Sequence, residues 1–177
     1  MSYPLWLFLF YSFFGFLLEK LFARAVHSPR QVRKCFLILP LCPVYGLAML
    51  AVLALHRSDF PFWMQVLSGG IICTAVEYLV HLFYDKVFRT RFWDYSDLSV
   101  HFRGRICPHF ALIWGILSTL AVQYVHPALS AAAHAISSEI SFAVWLLLIF
   151  DAVLTCSLLY RFHDTELLSV PALFGQT

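Results

Sequence analysis

The sequence predicts an all-α integral membrane protein with five transmembrane helices, and three observations support that fold class. The 177 residues are 61% hydrophobic and only 12% charged, whereas soluble domains carry about 25% charged residues. The apolar residues gather into five stretches, each close to the roughly 20 residues that a helix needs to cross a bilayer. Most basic residues fall in alternate loops, as the positive-inside rule requires. We therefore expect one membrane domain over residues 1–162 and a loose C-terminal tail over 163–177.

Each predicted helix is an apolar stretch bounded by polar or proline-containing segments. The first stretch lacks a basic segment before its apolar core and runs longer than a signal peptide, so we expect it to be retained. The second contains Pro40 and Pro43, which predict a kink, because a membrane helix tolerates proline only where neighbours satisfy the freed backbone groups. The fourth is delimited by Arg105 and Pro127. The predicted helices are 4–26, 36–55, 63–84, 106–126 and 141–161.

The charges of the loops predict the orientation. The turn over 56–62 has only Arg57, and the connection over 127–140 has no lysine or arginine. Cytoplasmic loops carry the excess of basic residues, so the other two loops lie inside. This places the N-terminus outside and the C-terminus inside, and we predict a multi-pass protein of the cell (inner) membrane. The basic residues of the two inner loops are Arg30, Arg33, Lys34, Lys86, Arg89, Arg91, Arg103 and Arg105.

The connection between the third and fourth helices, residues 85–105, is predicted to lie at the membrane interface. It is too polar to span a bilayer and too rich in aromatic residues for an idle linker. From Asp97 to Arg103 polar and apolar residues alternate, which is typical of an extended, half-buried stretch. Leu98, Val100 and Phe102 would then share its buried side.

Three carboxylates, those of Glu19, Glu77 and Asp151, fall inside apolar stretches. A charge in hydrocarbon costs about 2.5–3.5 kcal/mol on insertion scales, so such residues usually face the interior of a bundle. With the predicted orientation they lie at similar depths, towards the cytoplasmic side. We therefore predict a polar cavity that opens to the cytoplasm. The candidate cavity or substrate-binding residues are Glu19, Tyr45, Glu77, His81, His109 and Asp151.

Several of these residues also have a simpler structural interpretation. Glu19 could lie near the interface and pair with Lys20 or Arg24, since long charged side chains reach towards water. Asp151 could satisfy a neighbouring hydroxyl group. Arg103 and Arg105 are candidate counter-ions for the carboxylates.

The cysteines and histidines do not predict a metal site. The five cysteines have no C-x-x-C spacing, so we interpret them as packing residues rather than as disulfide partners or ligands. Glu77 and His81 share a helix face, but zinc requires three or four ligands in a defined geometry. We predict no metal and no cofactor.

An ordered series of motifs resembles the CmpB-type putative ABC-transporter permease family, which also includes the vertebrate transmembrane protein 229 group. The motifs are Trp-Asp-Tyr-Ser at 93–96, Gly-Arg-Ile-Cys at 104–107 and Trp-Gly at 114–115. Gly15 with Glu19, Pro-Val-Tyr-Gly at 43–46 and Glu-Tyr at 77–78 also match. The resemblance covers about residues 10–116, whereas the fifth helix matches only as a hydrophobic segment. His101 departs from the asparagine that bacterial relatives usually have, and glycines are missing near Cys35 and Leu39.

The first two motifs predict an interfacial cap. Tryptophan and tyrosine suit an interface where an apolar ring and a polar edge are both satisfied. Aspartate and serine hold turns by bonding to nearby backbone groups, and glycine permits conformations that a side chain would block. The alternative is that this loop merely closes the bundle. The predicted cap residues are Trp93, Asp94, Tyr95, Ser96, Gly104 and Arg105.

Three functions remain open from the sequence. The resemblance implies a membrane permease or transporter subunit, and the sequence has no G-x-x-x-x-G-K-[ST] motif for ATP hydrolysis by a P-loop. Transport would then require a separate ATPase subunit or a homo-oligomer. The second is a small intramembrane enzyme acting on a lipid or amphiphile, with acid–base groups among Glu19, Glu77, Asp94 and His109. The third is a non-catalytic protein that binds lipid or a partner through its basic loops. No nucleic-acid partner is predicted.

Overall fold

The structure, a computed structural model, describes residues 2–25, 35–165 and 168, and every regular element within them is helical. An isolated antiparallel bridge between Phe102 and Ile106 is the one β-type pairing in this part of the chain. Two of the helices are followed directly by single π-helical turns, here π1 and π2. The elements are α1 (Ser2–Ala25), α2 (Pro43–Leu55), α3 (Phe62–Phe83), π1 (Tyr84–Phe88), α4 (Pro108–Leu120), π2 (Ala121–Val125), α5 (His126–Ala135) and α6 (Ser138–Phe162).

Four helical segments are long and apolar enough to cross a membrane, and α2 is a shorter apolar helix. The 13 residues of α2 rise only about 20 Å, less than the roughly 30 Å of a hydrocarbon core. Many large apolar side chains on the helices are exposed, among them Leu112 and Phe150. Such surfaces suit lipid, and the chain is an integral membrane protein. The four long segments are Ser2–Ala25, Phe62–Phe88, Pro108–Ala135 and Ser138–Phe162.

The predicted second helix over 36–55 is wrong in its first third, because residues 36–42 form a non-helical segment, here called the unwound segment. Pro40 and Pro43 disfavour a helix there, and Pro43 instead begins α2. Irregular backbone at membrane depth requires partners for its polar groups. The carboxylate of Asp151 accepts hydrogen bonds from the backbone N–H groups of Ile38 and Leu39, at 3.3 and 3.2 Å. These bonds give Asp151 a structural role.

The expectation of unpaired cysteines is also wrong for Cys35 and Cys42, which form a disulfide. Residues seven apart in an ideal helix lie about 10 Å apart along its axis. The non-helical path brings their Cα atoms to 4.9 Å instead. Cys73, Cys107 and Cys156 are free thiols.

The fourth helix does not end at Pro127 but continues to Ala135. The π2 turn ends two residues before this proline, and the backbone N–H of His126 bonds to the carbonyl of Ala121, five residues back. A π-turn locally changes the hydrogen-bond ladder, so the chain passes the missing proline N–H without leaving the helical path. The fifth helix, predicted over 141–161, runs from Ser138 to Phe162.

The helices pack as neighbours of alternating direction. Tyr3 bonds to Ser130 of α5 and Tyr11 to His126, so α1 and α5 are antiparallel. α6 runs parallel to α1, because Trp6 donates to Ser141 near the beginning of α6 while Leu9 packs near Leu148. The beginning of α1 and the end of α6 therefore lie at opposite ends of the bundle.

The stretch from Asp97 to Arg103 is not a half-buried extended segment. The prediction that it buries one side is wrong, because Leu98, Val100 and Phe102 are 41%, 53% and 54% exposed. The turn from Tyr95 to Leu98 and the bridge at Phe102 replace a regular alternation.

Arg30, Arg33 and Lys34 of the first predicted inner loop lie outside the described residues. So does most of the predicted tail, although the His163 ring bonds to the carbonyl of Phe88 and Leu168 is buried.

Replacing Asp151 by alanine is expected to destabilise the bundle by removing the acceptor for Ile38 and Leu39. An unsatisfied buried backbone group costs about 1–3 kcal/mol, and for a chain of this size each kcal/mol lowers the Tm by about 2–4 °C. Asp151→Asn keeps one strong acceptor oxygen, so its Tm should fall by roughly half as much as that of Asp151→Ala. Thermal unfolding in detergent measures both. Equal Tm values for Asp151→Ala and the native protein would contradict this role.

Candidate functional site

A cavity of about 560 Å³ lies among α1, α2, α3, α4 and the loop over 89–107, here called the cap loop. Its volume is within the roughly 300–1,000 Å³ that ligand sites occupy. The walls are mostly apolar, with side chains such as Leu18, Met49 and Leu117. Four polar side chains gather at one end, and they form what is here called the polar cluster: Glu19, Tyr45, Glu77 and Tyr95.

Glu77 is the most buried member of the polar cluster, with only 7% of its surface exposed. It lies 15 residues from the beginning of α3, about 22 Å along the helix axis, and so well inside the span. The phenol of Tyr95 donates to its Oε1 at 2.8 Å. Its Oε2 is buried and has no hydrogen-bond partner among the described residues. The cap loop thus satisfies one carboxylate oxygen, whereas the other has no hydrogen bond, although the side chain of Trp114 lies close enough to interact with the carboxylate.

The second carboxylate of the polar cluster has the same kind of partner. The phenol of Tyr45, in the first turn of α2, donates to Glu19 Oε1 at 2.7 Å. The Tyr45 ring also meets the edge of Trp114 on α4, with ring centroids 5.5 Å apart. The unwound segment fixes where α2 begins, so it also fixes where Tyr45 enters the cavity.

The other predicted cavity residues lie elsewhere. The His81 ring is bonded to the carbonyl of Trp93 at 3.1 Å, and this holds the cap loop against α3. His109 is exposed and lies beside the thiol of Cys107. Asp151 binds the unwound segment, as described above. None of these three residues lines the cavity among the described residues.

The cap loop is held by backbone contacts between its two halves. The Tyr95 N–H bonds to the carbonyl of Gly104 at 2.8 Å, and the Trp93 indole donates to the carbonyl of Arg105 at 3.1 Å. Gly104 has a φ of +68°, a conformation that residues with a Cβ atom rarely adopt. A Cβ atom there would also lie 2.6 Å from Asp94 Oδ1. This closed loop positions Tyr95 so that its hydroxyl reaches Glu77.

Arg105 is not a counter-ion for the cavity carboxylates. Its guanidinium bonds to Asp85 Oδ2 at 2.6 Å, and Arg91 joins Asp85 to Asp94 at 3.6 and 3.2 Å. Hydrogen bonds from Ser96, and then Arg91, lower the pKa of Asp94 below its usual value. Arg103 is exposed, and its guanidinium lies over the ring of Phe102. Arg91 and Arg105 therefore hold the cap loop to π1 through Asp85.

Of the predicted cavity residues, the structure places Glu19, Tyr45 and Glu77 in the cavity wall. The sequence did not indicate the contact of Tyr95 with Glu77 or the ion pair of Asp85 with Arg105. Tyr95 was placed at the interface by its aromatic character, whereas the structure directs its hydroxyl inwards. Asp85 lies 20 residues before Arg105. A single carboxylate among several basic residues is the sequence feature that could have predicted an ion pair here. Ser118 also lines the cavity, but a serine in an apolar helix gives no signal by itself.

The arrangement offers hydrogen-bond acceptors inside a largely apolar cavity. Two phenols already donate to the two carboxylates, so a ligand with its own donors would complete the site. Within the described residues there is no group of three or more His, Cys, Asp or Glu side chains that could hold a metal ion.

The comparisons with known proteins identify a family. The profile of the family described as putative ABC-transporter type IV, the CmpB type, matches residues 6–158. This confirms the predicted resemblance and extends it from about residue 116 through most of α6. No curated protein matches, and no solved structure matches.

Proposed function

This chain belongs to the CmpB-type putative ABC-transporter type IV family, and from that premise we propose that it is the membrane-embedded, substrate-binding subunit of a transporter. The observation that carries the proposal is the buried Glu77 carboxylate, which lines the cavity with one oxygen unpartnered. An ionisable residue inside a membrane span points to a substrate or ion pathway by default. The predicted substrate residues that support this role are Glu19, Tyr45 and Glu77.

The energy source proposed for this transporter is a separate subunit. The sequence has no Walker A motif, so ATP binding to a P-loop is assigned to a partner. A homo-oligomer is the other assembly that would enlarge the pathway of so small a bundle. In either case α6 is a support helix, because it holds the unwound segment and does not line the cavity among the described residues.

We place the polar cluster on the cytoplasmic side of the cell (inner) membrane. The support is the distribution of basic residues in the loops. The Cys35–Cys42 disulfide opposes it, because disulfides persist mainly in oxidising compartments. A membrane-impermeant thiol reagent distinguishes the two orientations. In intact cells, Asp59→Cys should be labelled by reagent added outside, whereas Arg103→Cys should be labelled only after the membrane is opened. The reverse pattern would invert the assignment.

The proposed function is tested by purifying the tagged protein from native membranes in mild detergent. We expect a P-loop ATPase to co-purify, and its ATP turnover in proteoliposomes should depend on the presence of this chain. The tag on an unrelated membrane protein is the matched control. Failure to recover an ATPase, or turnover indifferent to this chain, would contradict the transporter assignment.

An intramembrane enzyme is the second candidate, and one observation favours it. Two carboxylates in one cavity each accept a tyrosine hydrogen bond, and such groups can transfer protons. Incubation of the reconstituted protein with a lipid extract, followed by mass spectrometry, tests this candidate. A product that forms with the native protein and not with Glu77→Gln would support an enzyme. Unchanged lipids would contradict it.

A further inference from the structure

The cavity is open along its side between α1 and α4. Residues that both line the cavity and are themselves exposed mark its rim, and on both helices these residues are large and apolar. Their exposed fractions range from 37% for Leu117 to 75% for Tyr124. An apolar rim within two membrane-spanning segments faces lipid rather than water. The rim residues are Phe14, Leu17, Leu18 and Leu21 on α1, Leu117 and Leu120 on α4, and Tyr124 and Val125 on π2.

The opening has defined ends. At the end nearer the polar cluster, the rings of Phe22 and Phe110 meet edge to face, 6.2 Å apart. At the other end Tyr11 bonds to His126 at 3.3 Å. From Tyr11 to Phe22 the α1 axis rises about 16 Å. This is a window long enough for the side of a hydrocarbon chain to pass, and it is here called the lateral window.

The polar end of the cavity selects the kind of head group. Glu77 Oε2 is an acceptor without a partner, and a buried acceptor is stabilised by gaining a donor. The described residues that line the cavity include no lysine, arginine or histidine. A protonated amine or a hydroxyl group would therefore complement Glu77, whereas an anionic head group without an N–H or O–H has no donor for this oxygen.

We propose, on the basis of the proposed function, that the substrate is a membrane amphiphile whose head group carries an amine or hydroxyl donor. It enters sideways from the bilayer through the lateral window. The head group binds Glu77, and the hydrocarbon chain lies along the apolar walls of α1 and α4. This combination of an apolar cavity, an apolar rim and one unpartnered acceptor is complementary to both parts of such a molecule.

The test uses three probes with the same hydrocarbon chain: stearylamine, stearyl alcohol and stearyl sulfate. Binding to the full-length protein in phosphatidylcholine nanodiscs is measured with tritium-labelled probes in a scintillation proximity assay, which also gives association rates. We expect stearylamine to bind at least about tenfold more tightly than stearyl sulfate, because the sulfate has no donor for Glu77 Oε2 and leaves that buried acceptor unsatisfied. In Glu77→Gln that preference should fall while stearyl alcohol still binds. Equal affinities of the native protein for the amine and the sulfate would overturn the proposal.

The lateral window is tested by filling it. Leu18→Trp and Leu117→Trp, made separately, should slow stearylamine association about tenfold, since a narrowed route lowers the association rate. Phe142→Trp, on the exposed surface of α6 outside the cavity, is the matched control and should change nothing. Unchanged rates in both window variants would overturn lateral entry. Removal of residues 169–177 should also leave the affinity unchanged, and a large gain would identify the tail as the occupant and overturn the proposal.

These outcomes separate the inference from the proposed function. Amine-selective binding without any response of a partner ATPase would contradict transport and leave the ligand class standing. An ATPase response without selectivity among the three probes would contradict the ligand class alone.

Discussion

Replacing Gly115 by valine is expected to abolish close packing of α3 against α4 and to cause the largest loss of folded protein among single substitutions. A Cβ atom at Gly115 would overlap the backbone carbonyl of Val66. The neighbouring contact is also too close for a side chain, because a Cβ at Gly70 would lie 2.7 Å from the carbonyl oxygen of Ala111. Small residues allow membrane helices to approach this closely. Overpacking costs about 1–3 kcal/mol or more, and a backbone obstacle cannot rotate away.

The measurement is the yield of monodisperse protein in detergent together with its Tm. Ala132→Val adds the same two methyl groups on the exposed side of α5 and should leave both values nearly unchanged. Gly115→Ala adds only the Cβ atom and should lie between the native protein and Gly115→Val. A native Tm for Gly115→Val would show that α3 and α4 are not packed at this contact.

The sequence predicts the helical elements well because hydrophobic length is a direct consequence of bilayer thickness. Each of the five apolar stretches contains a helix, and the ends of the third and fifth agree within a few residues. The unwound segment could not be predicted with the same rule, since its residues are as apolar as those of a helix. Its conformation depends on Asp151, more than one hundred residues away, which supplies the acceptor for two of its backbone donors.

The sequence also indicates the carboxylates of the candidate site, but it does not indicate the partner that the irregular cap loop supplies. Glu19 and Glu77 stand out because a carboxylate in hydrocarbon is costly, and both line the cavity. Gly15, one turn before Glu19, predicted a close approach, and the structure places the Tyr45 ring against it. The partner of Glu77 was missed because Tyr95 lies 18 residues away in an irregular loop, and only the folded path of the cap loop brings the two together.

The polar cluster yields the second large effect, and we expect Glu77→Gln to reduce the substrate-dependent ATP turnover of the proposed complex by at least about tenfold. Truncating one partner of a buried, hydrogen-bonded charge pair costs about 2–5 kcal/mol, and glutamine keeps the shape of the side chain while replacing one acceptor oxygen by an NH₂ group. Tyr95→Phe should act in the same direction and less strongly, because it removes only the donor to Oε1. Two exposed positions of α6 provide matched controls, Glu139→Gln and Tyr160→Phe.

The two substitutions at Glu77 and Tyr95 should also be non-additive. Residues in direct contact show coupling energies of about 0.5–3 kcal/mol in double-mutant cycles, so the double variant should lose less than the sum of the single losses. Tm values measured on the same samples distinguish a loss of recognition from a loss of folding. If the two single variants and the double variant all unfold at the native temperature and the losses simply add, Tyr95 does not act through Glu77. If Glu77→Gln retains native turnover, the buried carboxylate has no part in transport, because its unpartnered oxygen is the feature from which that role is inferred.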